Sequence, residues 1–288
     1  MNWKERLKAV GWSVVFLFGG YLLAFLFLIP AGYLIPGPGS GPLSAAAVQS
    51  AGLLFGYGVL TWLIGGKLLR LSRADFERLG PEVRRSHRWR GFGWGTLVGT
   101  ILAALAMVIA VPLSHAAWQD DGGTPLQWFG TLVVTGLVLL PAALVEELAF
   151  RGVPLIALSR ALGRVPALLA LALLFSLGHL GNPAVTRLGM ANIALAGVFL
   201  GLAFFTPGGL WTSTGAHLGW NLTLAGLAAP VSGIPLPMPW LDYSPGIPLW
   251  LTGGSFGPEG GALATLCLVG GSMLAVGRGR RKERVRHE

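Results

Sequence analysis

Val145-Glu146-Glu147-Leu148-Ala149-Phe150-Arg151 sets two adjacent carboxylates and an arginine at the end of Phe129 to Val145, a run written mostly in Leu, Val, Ala and Gly. An unpaired charge in such a run is costly, so the chain must supply partners for these groups. On a helix, Glu147 and Arg151 are four residues apart and share one face. Glu146 is rotated by about 100° from Glu147. The pattern therefore predicts one carboxylate paired with Arg151 and a second that stays available.

The composition around this stretch sets the class of protein. The chain of 288 residues is 53% hydrophobic and 11% charged, with a mean hydropathy of +0.65, whereas soluble domains carry about 25% charged residues. An all-α, polytopic membrane protein of about eight transmembrane helices is expected. The formal charge of +9 raises nucleic acid as a partner. Its basic residues, however, flank apolar spans and form no surface of interleaved aromatic and basic groups, so membrane orientation accounts for them and no nucleic-acid partner is expected. Cys267, the single cysteine, sits in an apolar run, where a buried inert thiol is its expected role.

Outward toward the amino terminus, Met1 to Lys8 carries Lys4, Arg6 and Lys8 ahead of an apolar span from about Ala9 to Ile35. The span is too long for a signal peptide and reads as a retained first helix, broken at Pro36 to Pro42. A second span covers about Ala45 to Leu69. Arg70 to Arg90 follows as a solvated, positively charged loop, a third span covers about Gly91 to Leu113, and the fourth, about Trp128 to Phe150, delivers the glutamates. Pro154 predicts a bend or an end of that helix near Gly152.

Toward the carboxyl terminus, apolar segments cover about Val165 to Leu180, Ala191 to Phe205, Leu210 to Leu227 and Gly260 to Val276, with a Pro-rich interfacial stretch from Pro230 to Pro248 and a basic tail. Eight crossings with both termini cytoplasmic put the basic loops and the tail inside. The loops holding Asp120/Asp121 and Asp242/Glu259 fall outside, and Arg187 is the exception. A multi-pass protein of a bacterial-type plasma membrane is expected. Three regions follow: 1–128 with the amino-terminal helices, 129–227 as the catalytic core, and 228–288 with the interfacial loop, last helix and tail.

Of the twelve acidic residues only Glu146 and Glu147 fall within an apolar run, and of the five histidines only His179 and His217 do. His179 ends Phe175-Ser-Leu-Gly-His179 and His217 begins His217-Leu-Gly-Trp-Asn221, so each segment offers an i,i+4 pair on one face. With a turn near Gly163 to Pro166, Glu146 and His179 lie at about 27 and 21 Å of helix from it, at similar depth. A carboxylate and an imidazole can share deprotonation of a water and later protonate a leaving amine. A second histidine and an amide NH2 can donate to an oxyanion. Glu146 and His179 are thus expected to activate water, His217 and Asn221 to hold the oxyanion, and Glu147 with Arg151 to be mainly architectural.

Glu146-Glu147-x-x-x-Arg151, Phe175-x-x-x-His179 and His217-x-x-x-Asn221, in this order on successive apolar segments, resemble the three motifs of the CAAX prenyl protease and bacteriocin-processing family of intramembrane proteases, also called the Abi family. Phe-Arg-Gly at 150 to 152 matches the usual continuation of the first motif. The resemblance covers roughly residues 129 to 227. It implies an all-helical membrane peptidase with a site open toward the cytoplasmic side, with Glu146 and His179 on the water and His217 and Asn221 on the oxyanion. Glu147, Arg151 and Phe175 are expected to support the structure or position the substrate. Peptide or lipidated-protein substrates and membrane lipid are the expected partners, with the substrate itself not inherited from the motifs.

Two rivals stay open at this level. Glu146, His179 and His217 also form a plausible zinc ligand set with one open position, which makes a zinc-dependent intramembrane metalloprotease the alternative to cofactor-free glutamate chemistry. Outside enzymes, the rivals are a membrane immunity or scaffold protein and a proton-coupled transporter, since intramembrane Glu, His and Arg also mark proton relays. The transporter's paired, broken helices are not seen.

Overall fold

Among the described residues the apolar runs of the sequence become helices, because backbone groups out of water must be satisfied within their own segment. The computed structural model describes residues 1–31, 42–77 and 86–285. Its elements are α1 (Trp3–Ala31), α2 (Pro42–Leu60) running on as π-helix Thr61–Leu68, short α3 (Arg73–Glu77), α4 (Ser86–Ser114), β1 (Ala117–Gln119), α5 (Pro125–Arg151), α6 (Val153–Leu162), α7 (Arg164–Leu177), α8 (Arg187–Phe204), α9 (Leu210–Gly226), β2 (Asp242–Ser244), α10 (Leu249–Thr252), two 3-10 turns (Gly254–Phe256 and Pro258–Gly260) and α11 (Ala262–Val285). β1 and β2 pair antiparallel, with Trp118 opposite Tyr243. The expected break at Pro36 to Pro42 falls largely outside the described residues, as do positions 78–85 of the basic loop, whose described parts hold α3 and the start of α4.

Among the described residues six helical spans are long and apolar enough to cross a membrane, at Trp3–Ile29, Ser44–Leu68, Arg88–Ser114, Pro125–Leu162, Arg187–Phe204 and Ala262–Gly279. The expected fifth and seventh crossings are the shorter helices α7, of 14 residues, and α9, of 17. At 1.5 Å per residue α7 spans about 21 Å, less than a hydrocarbon core of about 30 Å. Polarity sets α9 apart. Thr212 to Trp220 are all buried, because α4, α5 and α8 enclose this helix, and a helix surrounded by protein is free to carry Thr, Ser, His and Asn.

α9 is locked to α4 by backbone approach. A Cβ on Gly95 or Gly99 of α4 would stand 2.1 Å from the carbonyl oxygen of Thr212 or Ala216, and one on Gly215 or Gly219 of α9 would stand 2.2 Å from that of Phe92 or Thr96. The glycines recur at i,i+4 on both helices, the spacing that lets membrane helices touch along a seam. His217 and Asn221 follow Gly215 and Gly219 by two residues, about 200° round the helix, and so point away from α4. The far end of α9 is tied down by two indoles: Trp128 Nε1 donates to Gly226 O and Trp118 Nε1 to Leu227 O, both at 2.8 Å. These are carbonyls the helix end leaves without intrahelical partners.

α5 begins with a capping box between Thr124 and Gln127, with Pro125 in the first turn. It ends at Gly152, where ψ swings to −122° and α6 starts. This is the break expected from Pro154. Val145, Ala149 and Val153 pack with Phe16, Tyr57 and Ile64 of the α1/α2 pair. Glu147 and Arg151, two positions on, face the opposite side, toward α8 and α9.

Candidate active site

Glu147 is fully buried, and its Oε1 accepts from Arg151 Nη1 at 3.0 Å and from His217 Nδ1 at 2.9 Å. The pairing with Arg151 is the one expected from the i,i+4 spacing. Arg151 also donates from Nη2 to Gly197 O of α8 at 3.2 Å, and its guanidinium lies 4.4 Å from the Phe175 ring centroid. Phe175 in turn stands edge-on to Phe150 and packs against both His179 and His217. One aromatic side chain thus touches a residue of every motif.

The other carboxylate behaves differently. Glu146 is 37% exposed at its side chain, and its Oε2 lies 3.8 Å from His217 Nε2, beyond hydrogen-bond length but within ion-pair range. Among the described residues that oxygen has no hydrogen-bond partner. His217 is thereby the hinge of the network, with Nδ1 on Glu147 and Nε2 toward Glu146. A doubly protonated His217 would bring the charges of Glu146, Glu147, Arg151 and His217 to zero.

His179 sits two residues beyond the end of α7, and its Nδ1 lies 2.8 Å from Phe175 O. A carbonyl only accepts, so Nδ1 carries a proton, and the tautomer this sets for the neutral ring is the one with its lone pair on Nε2. His179, His217 and Asn221 line one cavity, with about 30 Å³ open to the centre of a water molecule. That is room for a water or two. The cavity does not include Glu146, which approaches through His217, and it is His217 rather than His179 that lies in ion-pair range of the Glu146 carboxylate.

Three polar residues line this cavity that sequence reasoning passed over: Asn192, Ser232 and Glu259. Asn192, on α8, carried a usable signal as an amide inside an apolar run. Glu259 carried none, being flanked by Pro258, Gly260 and Gly261 and assigned to an outer loop. Instead the chain from Pro230 to Gly261 folds back onto the bundle: Gly233 N donates to Phe256 O at 2.8 Å, and Phe256 packs against Phe175 and Ile193.

The three ordered motifs on α5, the end of α7 and α9 converge on one buried network. Residues 125–223 match the Rce1-like family, described as type II CAAX prenyl endopeptidases. The Rce1-like segment runs from the first residue of α5 into α9, so it contains every residue of the three motifs. That family is one of proteases, and with its apolar helices the chain is an integral membrane protein. Neither a curated protein nor a solved structure matches the chain. Among the described residues no three His, Cys, Asp or Glu side chains are grouped as a metal-ligand set.

Proposed function

We propose that this chain is an intramembrane endopeptidase that hydrolyses a peptide bond with water activated by Glu146 and His179. The observation that carries the reading is the position of His217, which joins both motif glutamates to the cavity that His179 and Asn221 also line. Among the described residues Glu146 has a carboxylate oxygen without a hydrogen bond, and the neutral His179 tautomer carries its lone pair on Nε2, so two bases can share one water. Water attacks the scissile carbonyl as its proton passes to this pair. The oxyanion is held by donors from His217 and from the Asn221 amide. The proton then reaches the leaving amine as the C–N bond breaks.

Glu147 and Arg151 serve this chemistry at one remove. Their ion pair fixes the Nδ1 side of His217, leaving its Nε2 to face Glu146 and the cavity. The substrate is a peptide of a membrane-associated or lipidated protein, cut near its carboxyl terminus, in keeping with the type II CAAX prenyl endopeptidase description of the family. Both termini lie on the cytoplasmic side, from the placement of the basic segments. No cofactor is required in this reading.

The test is cleavage of fluorogenic peptides, with and without a prenylated cysteine, by the wild type and by Glu146→Ala, each assayed with and without chelator. Cleavage by the wild type that Glu146→Ala abolishes and chelator leaves intact is the expected result. Loss of activity in chelator, with metal found in the purified protein, replaces it by the zinc mechanism on Glu146, His179 and His217. No cleavage of any peptide favours a non-catalytic immunity or scaffold role.

A further inference from the structure

The turn Pro258–Gly260 carries a carboxyl group to the cavity, whose lining includes neither Glu146 nor Glu147. Glu259 is 6% exposed and lines the same space as His179, His217 and Asn221. Its place is built from several directions. Asn192 Nδ2 donates to the carbonyls of Glu259 and Gly261 at 2.8 and 2.9 Å, while its Oδ1 accepts from Thr265 at 2.7 Å. Ser232, held at a φ of 48°, gives both its backbone N–H and its hydroxyl to Glu259 Oε2, and its carbonyl accepts from Asn182, three residues after His179.

Both Ser232 bonds fall on Oε2, and among the described residues Oε1 accepts no hydrogen bond. No lysine or arginine pairs with this carboxyl among the described residues, and the ionisable groups that face it are His179 and His217. A buried carboxylate without a cation is strongly disfavoured against the neutral acid. Burial accordingly pushes the Glu259 carboxyl above the ordinary range, outweighing the Ser232 bonds and the two histidines. With both Ser232 donors on Oε2, the proton belongs on Oε1.

Resting on the peptidase reading above, we propose that Glu259 is a further substrate-binding residue, offering its Oε1 hydroxyl to a backbone carbonyl of the peptide where it reaches the cavity. A neutral carboxyl there presents a donor to a backbone carbonyl without placing a second charge beside the water-activating groups. Glutamine is its near-isosteric mimic, with Oε1 on Ser232 and the NH2 toward the cavity. Methionine keeps the bulk and removes the donor.

Two measurements on the full chain in detergent decide it. Infrared difference spectra between wild type and Glu259→Gln at neutral pH should show a carboxylic-acid carbonyl band in the wild type that the variant lacks; an ionised Glu259 overturns the proposal. With the fluorogenic peptide the wild type cleaves best, Glu259→Gln should keep KM within about two-fold. Glu259→Met should raise KM about ten-fold with kcat changed less, the loss of about one hydrogen bond. A stable Met variant with wild-type KM, or a Gln variant as impaired as Met, overturns it while leaving the peptidase reading intact. If Glu259→Met does not fold, the infrared band and the Gln KM decide. A wild type that cleaves no peptide overturns the peptidase reading, and this role with it.

Discussion

His217 Nδ1 meets Glu147 Oε1 at 2.9 Å, on the same oxygen that accepts from Arg151 Nη1 at 3.0 Å. One carboxylate oxygen therefore holds both a cation and an imidazole, and each partner's orientation depends on the other. Removing the cation leaves a buried charge against a histidine alone. Arg151→Ala should destabilise the protein by on the order of 3 kcal/mol, read as a lower melting temperature in detergent, and activity should fall with it. An Arg151→Ala variant of wild-type stability without activity would place Arg151 on the substrate instead.

Asn221 lines the cavity on the face of α9 turned from α4, and an amide donates without acting as a base. Its work, if it serves the oxyanion, is confined to the transition state. Asn221→Ala should lower kcat by roughly 10² to 10³ with little change in KM. Asn221→Asp should be at least as damaging, because it brings a negative charge to where the oxyanion forms. An active, metal-dependent Asp variant would move the residue beside a cation.

The α4–α9 seam has no room for a methyl group. A Cβ on Gly219 would lie 2.2 Å from Thr96 O, whereas one on Gly130 of α5 meets nothing within 4 Å. Gly219→Ala should cost about 1–3 kcal/mol through forced separation of the helices, and it should shift His217 with α9. Gly130→Ala should leave stability within about 0.5 kcal/mol. Thermal unfolding of the two variants in the same detergent makes the comparison.

Asp75, itself outside the spans, links α3 to Arg160 of α6. Its Oδ2 accepts from the Ser72 backbone and hydroxyl at 2.8 Å each, and Oδ1 pairs with Arg160. Burial raises this carboxyl's hold on its proton, but the Ser72 bonds and the Arg160 charge outweigh it and keep the group below the ordinary carboxylate range. A depressed folded pKa contributes stability above the unfolded value, and that contribution is lost as pH falls through the folded one. Wild type should therefore melt higher than Asp75→Asn at neutral pH, with the gap closing below about pH 4. A gap independent of pH would assign the effect to packing.

Much of this protein is legible along the chain because its determinants are local. Apolar runs broken by Pro and Gly yield helices wherever the backbone has no water to bond, and the i,i+4 spacing of Glu147 and Arg151 suffices to predict their ion pair. Rare polar residues in apolar runs point to Glu146, His179, His217 and Asn221 by the cost of burying them. The glycine spacing on α4 and α9 was equally present in the sequence, but identical spacing occurs wherever glycine is common, and only contact shows which helices it joins. Tertiary structure alone decided that α9 is enclosed by protein, that His217 bridges both glutamates, and that Glu259 folds back to the cavity. Each of these depends on groups brought together from distant segments, and a carboxyl flanked by Pro and Gly reads the same in solvent as against two histidines until the chain has closed around it.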